Sequence, residues 1–244
     1  MGTLVAIEAR SADAALAEEA VNAAFAVVHK VASLLHPTRA GSDLARLNRA
    51  AAGCRLPVHP WTVTLLRLSR ALCARSGGLF EPALPGAGSI MHWVPAGACA
   101  VVVRQRARVD FGGIAKGYAV DLAVAAMRSA GIRRGLINAG GDLRVFGDLP
   151  WPVTIRTGPS AVALELRNCA LATSDPGCKD QPAEHRGYYR GDCGPGRRAP
   201  RPASVAAQTA AIADALTKIV MFAAPANSAR LLAHYGARNG RWNS

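Results

Sequence analysis

Polar and apolar positions alternate in part from Thr3 to Ala9, which predicts an opening strand. A helical run follows from Ala14 to Leu35, with Ser11 or Asp13 placed to cap it and Pro37 to stop it. Ser42-Asp43 opens a short helix to Asn48, on which Leu44 and Leu47 share a face. Pro60 introduces a helix over Trp61–Arg75. Leu65, Leu68 and Leu72 mark its buried stripe, and Gly77-Gly78 ends it. Phe80-Glu81-Pro82 leads into a Gly- and Pro-rich loop that lasts to about residue 98. Ala100–Arg104 and Ala107–Phe111 read as strands paired with each other.

Gly112-Gly113 then opens a helix in which Ile114, Tyr118, Leu122 and Ala126 recur at every fourth position and should pack inward. Gly131 ends it. Leu136-Ile137 is a short buried strand, and Asn138–Asp142 is a turn. Leu143–Phe146, Val153–Arg156, Val162–Arg167 and Ala170–Ala172 predict successive antiparallel strands. From Asp175 to Pro202 the periodicity collapses into Gly, Pro and Arg, which predicts a long loop. Ala207–Ala223 resumes as an apolar helix, and Asn227–Tyr235 is the last, closed by Gly236.

Composition bounds the class. With 244 residues, 50% of them hydrophobic, the chain can bury a core of one large domain or two intimate lobes. A net charge of +13 favours anionic partners. The arginines are spread along the chain without interleaved aromatics, so nucleic acid is a minor option. Cysteines at 54, 73, 99, 169, 178 and 193 form no CxxC pair, which argues against a zinc ribbon. No signal peptide precedes the first strand and no apolar run is long enough to span a bilayer, so reduced thiols and a cytoplasmic location are expected, or a periplasmic one if the sequence is a mature form.

The candidate chemistry concentrates between Val109 and Asp142. Asp110 ends a strand, Gly112-Gly113 follows, and a helix begins, an arrangement that brings backbone amides to an anion. Lys116 lies in the first helical turn, where a cation opposes the helix dipole, so it either serves a ligand or is a solvated surface lysine. Neither a P-loop nor a Rossmann fingerprint is present. Asn138-Ala-Gly-Gly-Asp142 is weak by itself, being good hairpin-turn chemistry. Asp214 lies within the apolar segment Ala210–Val220. A carboxylate there needs a partner, or else belongs to an exposed stripe with Thr217 and Lys218.

Taken together these segments resemble the ApbE family, the FAD:protein FMN transferases. Met1-Gly-Thr3, Ser42-Asp-Leu-Ala-Arg-Leu-Asn48, Ser76-Gly-Gly-Leu-Phe-Glu81, Asp110–Asp121, Asn138–Asp142 and Ala213-Asp-Ala-Leu-Thr217 are similar to that family's segments in the same order. Asp110–Asp121 is the most specific string. The resemblance implies an α+β fold, related to the T-fold, with antiparallel sheets and packed helices in two intimate lobes, as a single ApbE-like domain over residues 1–244. It implies FAD as flavin donor, Mg2+ as cofactor and an acceptor flavoprotein. The FMN moiety would move to a Ser or Thr hydroxyl, releasing AMP. By matching position, Met1, Leu79, Phe80, Glu81, Asp110 and Lys116 would contact FAD. The Gly113 carbonyl and the side chains of Asp214 and Thr217 would hold Mg2+, whose preference is for hard oxygen ligands.

Three positions depart from the pattern. Tyr189 stands where the family has His in a His-x-x-Asp-Pro-x-Thr-Gly segment, with Asp192 and Gly196 kept and His185 four residues earlier. Lys218 stands where many members carry Thr four residues after the metal-binding Asp, placed to displace or weaken the metal. Thr38 lies where an aromatic often stacks on the flavin. These departures bear on transfer more than on FAD binding. They leave two rival expectations: a flavin-binding protein with weak or no transfer, or an FAD pyrophosphatase giving FMN and AMP. No acceptor motif is found within the chain.

Overall fold

The structure is a computed structural model that describes residues 3–157, 160–175 and 202–240. Strand β1 (Val5–Arg10) leads to helix α1 (Ala14–Leu34), capped by Asp13, which accepts from the Leu16 amide at 3.1 Å. Helix α2 (Asp43–Arg49) is capped by Ser42. Strand β2 (Arg55–Pro57) and helix α3 (Pro60–Arg75) follow, then a single 3-10 turn at Ile90–His92. Strands β3 (Trp93–Pro95) and β4 (Ala100–Val103) precede helix α4 (Ala115–Ser129). Then come β5 (Arg134–Ala139), β6 (Asp142–Phe146), β7 (Trp151–Thr157), β8 (Ser160–Leu166) and β9 (Ala170–Ser174). Strand β10 (Ala203–Ala207), helices α5 (Ala210–Phe222) and α6 (Pro225–His234) and the short β11 (Arg238–Asn239) complete the chain.

The main sheet has six strands, antiparallel throughout, in the order β1, β5, β6, β9, β10, β11. Alternation along each strand sorts its side chains between two faces. Ile137, Ala139, Phe146, Ala170, Ala172, Val205 and Ala207 join α1, α4 and α5 in one core. Leu143, Val145 and Leu171 point to the other face, where the β7–β8 hairpin covers them with Trp151, Ile155 and Leu166. A smaller sheet, β2-β4-β3, packs with α3 and shares the first core through Trp93, Val101 and Val103. This mixed helix and antiparallel-sheet architecture is the expected α+β class. Among the described residues no helix is long and apolar enough to cross a membrane.

Three expectations change. Residues 107–111 do not pair with β4, which bonds β2 and β3 instead. The Asn48 side chain takes both polar groups of Val109, accepting from its amide at 2.8 Å and donating to its carbonyl at 3.0 Å, while Arg108 and Asp110 bond the backbone of Pro82, Leu84 and Ala87 about a bridge of Val109 to Ala83. The four strands after the turn are not successive neighbours, because β6 pairs with β9 and the β7–β8 hairpin folds away. The helix expected over Ala207–Ala223 begins at Ala210 instead, and Ala207 closes strand β10, which is extended because it pairs with β9. Helix α4 is also buried more widely than one stripe. Ala119, Val120, Ala123, Val124 and Met127 are buried, while Leu122 and Ala126 are only partly so.

Gly117 is the closest point between α4 and α5. A Cβ there would collide with the Ala210 carbonyl and lie 2.7 Å from the Ala211 amide. Asp121, one turn further along α4, caps α5 from outside. Its two oxygens accept from the Ala210 and Ala211 amides at 2.9 Å each, a task that Thr209 at the helix's own start leaves undone. Arg144 holds the same carboxylate at 2.7 Å.

Candidate functional site

Three elements converge at one end of the main sheet. The first is the turn before α4. Asp110 accepts from the Gly112 amide at 2.7 Å through Oδ1, which bends the chain at the glycine pair. The second is the β5–β6 hairpin, where Ala139 pairs with Asp142 across a two-residue loop. Gly140 and Gly141 both have positive φ, +61° and +95°, as a primed turn requires. Asn138 accepts from the Gly141 amide at 2.9 Å and secures that loop. The third is α5, whose Asp214, Thr217 and Lys218 are all buried.

The alternation of β6 and β9 turns Asp142 and Ser174 toward α5. The result is a buried cluster of charges and hydroxyls. Lys218 Nζ donates to Asp214 Oδ1 and Ser174 Oγ, both at 2.6 Å, and to Thr217 Oγ1 at 3.1 Å. Thr217 Oγ1 donates to the Asp214 backbone carbonyl at 2.6 Å. With that proton committed, it accepts from the Ser174 hydroxyl at 2.7 Å as well as from Lys218. Lys116 Nζ lies 3.0 Å from Asp142 Oδ2 and 3.8 Å from Asp214 Oδ2, and the Gly117 amide donates to the latter oxygen at 3.4 Å. The Lys116 side chain is the more open of the two, 27% exposed against 11% for Lys218.

The two carboxylates answer burial differently. Burial and the nearby Asp214 charge raise the Asp142 carboxyl to about 6, although Lys116 and Lys218 draw it down. Burial would also raise Asp214, but Lys116, Lys218 and the Gly117 amide outweigh it and hold that carboxyl below the usual carboxylate range. Asp214 is therefore the anion about which the cluster is built.

Of the residues expected at the site, the structure brings Gly113, Lys116, Asp214 and Thr217 together, with Asp110 shaping the turn beside them. A Cβ on Gly113 would lie 3.5 Å from Lys218 Cγ and 3.6 Å from its Cε, so the lysine stem runs along that glycine. Phe80 is buried against the same glycine. Leu79 is partly buried beside it. The Glu81 carboxylate is engaged by its own loop, accepting from the Ala83 and Ile90 amides and the Ser89 hydroxyl at 2.9, 3.0 and 2.6 Å. Met1 and Tyr189, His185, Asp192 and Gly196 lie outside the described residues. Ser174 escaped the sequence reading. Its signal was a hydroxyl closing the small-residue series Ala170, Ala172, Ser174 on one face of a strand.

Gly113, Asp214 and Thr217 supply oxygens of the type Mg2+ prefers. As the side chains stand they do not fit the ion. The Lys218 ammonium lies at hydrogen-bond distance from the Asp214 and Thr217 oxygens that would ligate it, and the Thr217 hydroxyl has both acceptor positions in use. Among the described residues no three of His, Cys, Asp and Glu are grouped to hold a metal. An open surface depression of about 550 Å³, lined by Arg128, Arg133 and Asn168 among others, shares no residue with this cluster.

The sequence pattern of the ApbE family matches residues 1–239. A curated relative from Rhodobacter capsulatus, an FAD:protein FMN transferase, is 33% identical over 187 residues. The match covers 64% of this chain and 36% of the relative, about a third of the relative's length. The crystal structure of the apo flavinyl transferase ApbE of Pseudomonas stutzeri is similar with a TM-score of 0.80 and 21% identity, over 98% of this chain and 86% of that one. The flavin transferase ApbE of Vibrio cholerae is similar with a TM-score of 0.74 and 19% identity, over 98% of this chain and 89% of that one. These structures share the fold, and the sequence pattern covers nearly every element that builds the charge cluster: the chain belongs to the ApbE family.

Proposed function

We propose that this protein binds FAD and transfers its FMN moiety to a Ser or Thr hydroxyl of an acceptor flavoprotein, releasing AMP. The family supports this reading, as does the activity named for the Rhodobacter capsulatus relative. The observation that carries it is the position of Lys116. Its ammonium lies beside the Gly112-Gly113 turn, paired with two buried carboxylates and partly open to solvent. An FAD pyrophosphate at that turn would meet this cation, because the Gly112 amide is given to Asp110 and the Ile114 and Ala115 amides to the Phe111 carbonyl.

In the reaction, the acceptor oxygen attacks the phosphorus that carries riboflavin. The bond from that phosphorus to the bridging oxygen breaks, AMP leaves with the bridging oxygen, and the hydroxyl proton passes to solvent. Phosphoryl transfer of this kind depends on positioning and charge neutralisation more than on covalent help from the protein. Asp142 and Asp214 hold the Lys116 ammonium toward the turn, and Asp110 holds the turn's amides in place.

The test is to incubate the protein with FAD, divalent metal and a peptide bearing an acceptor Thr, and to weigh the products. A peptide heavier by FMN, with AMP released, is the expected result. FMN and AMP with an unmodified peptide would make the protein a pyrophosphatase, and intact bound FAD a flavin-binding protein with weak or no transfer. The position of Lys218 favours that last alternative. Failure to bind FAD at all would overturn the family-based reading of function.

A further inference from the structure

We propose that the Lys218 ammonium is the built-in cation of this site, occupying a cage of oxygens so that the protein binds FAD without a divalent metal. The inference rests on the FAD-binding reading above, and its cause lies in the cage itself. Asp214 Oδ1, Ser174 Oγ and Thr217 Oγ1 surround Nζ at 2.6, 2.6 and 3.1 Å. An ammonium has only protons to offer, and each of these oxygens can accept one. The spacings are those of charged hydrogen bonds and exceed the 2.0–2.1 Å of Mg2+ coordination.

Three further features keep the lysine there. The side chain comes from the same helix as Asp214, four residues on, so its reach into the cage is set by the helix repeat. Its stem runs along Gly113, where only a hydrogen lies between the helix and the turn. It springs from a buried stretch of helix: Ala213, Ala215, Leu216 and Ile219 of α5 are fully buried. A lysine driven out of the cage would have to place its charge against that packing.

Electrostatics argues the same way. Lys218 already sets a positive charge beside the buried Asp214 carboxylate. A divalent ion entering beside Lys218 would meet a like charge at contact distance in a buried setting. At this site the sequence keeps oxygens that a metal would use and adds Lys218, whose ammonium lies among them. In this site Lys218 is a positioning residue: it fixes the Asp214 carboxylate that in turn orients Lys116.

The experiment uses the whole protein and two ligands. MnCl2 is titrated into the protein and its uptake followed by loss of the free-ion spin-resonance signal, with Asp214→Asn as the reference for ions held elsewhere. FAD binding is followed by flavin fluorescence in excess Mg2+ and in EDTA. The wild type should take up no more Mn2+ than Asp214→Asn, and its FAD affinity in EDTA should stay within about twofold of that in Mg2+. Lys218→Thr, which removes the ammonium and leaves a hydroxyl, should gain one Mn2+ per chain and a Mg2+-dependent FAD affinity. Wild-type uptake of one Mn2+ that Asp214→Asn abolishes would overturn the proposal, and so would a folded Lys218→Thr that gains none. If Lys218→Thr does not fold, the wild-type comparison decides alone. Absence of FAD binding under every condition would sink the proposed function instead, leaving the Mn2+ titration to judge the cage.

Discussion

Burial and the charge of Asp214 together set the Asp142 carboxyl at about 6, against an ordinary value of 3.8. The folded protein therefore holds a proton at Asp142, between those values, that the unfolded chain has released. Stability contributed by this group is full below the ordinary value and is lost as pH rises through the folded one. Unfolding free energy measured in urea for wild type and Asp142→Asn should show this in the difference. The wild type should lose ground to the variant as pH rises from about 4 to about 6. A flat or rising difference would contradict the assignment. Asp214 behaves oppositely, since its carboxyl is held low, and both variants keep it. Asp142 and Asp214 were visible in the sequence as acids beside a glycine turn and on an apolar helix. Ser174 was harder to see, because a serine that closes the series Ala170, Ala172, Ser174 does not by itself show what it faces. Its role exists only once β9 lies under α5.

At the scale of elements, short motifs prove to be fastenings between segments far apart in the chain. Asn48 ends the helix begun at Ser42 and grips Val109, 61 residues on, one position before Asp110. Asn48→Ala should cost about 2 kcal/mol of stability, measured by urea unfolding, because it leaves a half-buried amide and carbonyl without partners. It should also weaken FAD binding, since the stretch it fixes leads directly into the Gly112 turn. Unchanged FAD affinity with lowered stability would confine Asn48 to a structural part. Asp121 acts similarly by capping α5 from α4. Helices were the legible elements, for α1, α3 and α6 carry strong caps, prolines or periodicity and fall within a residue or two of expectation. Strand partners were not legible. The stretch 107–111 has the apolar content of a strand, yet its backbone bonds the loop at residues 82–87 and the Asn48 side chain in place of β4. Strand β10 is built from residues of weak strand preference and is extended by its neighbour.

Across the whole molecule, one core runs from Trp93 and Val101 of the smaller sheet to Ile137 and Val205 of the larger. The two-lobe expectation thus resolves into two sheets sharing a single interior. Thermal unfolding followed by tryptophan fluorescence and by far-ultraviolet circular dichroism should give coincident midpoints, and calorimetry one transition. Two separated transitions would show that α3 and the smaller sheet fold independently. The net charge of +13 drew attention to anionic partners, but charge summed over a chain does not locate a site. The cluster that does so joins lysines to carboxylates, and burial is what marks it.

Gly117 sets a length scale for all of this. Because it has no side chain, the backbones of α4 and α5 approach until its amide reaches the Asp214 carboxylate. Lys116 is anchored one residue earlier on one helix, and Asp214 and Lys218 on the other. One missing carbon atom thereby acts as the spacer that tunes the distance between opposite charges. A methyl group added there would lengthen the separation of Lys116 from Asp214 and leave Lys218 and Asp214, which share a helix, as they are, so the electric field at the glycine turn is written in the smallest residue of the chain.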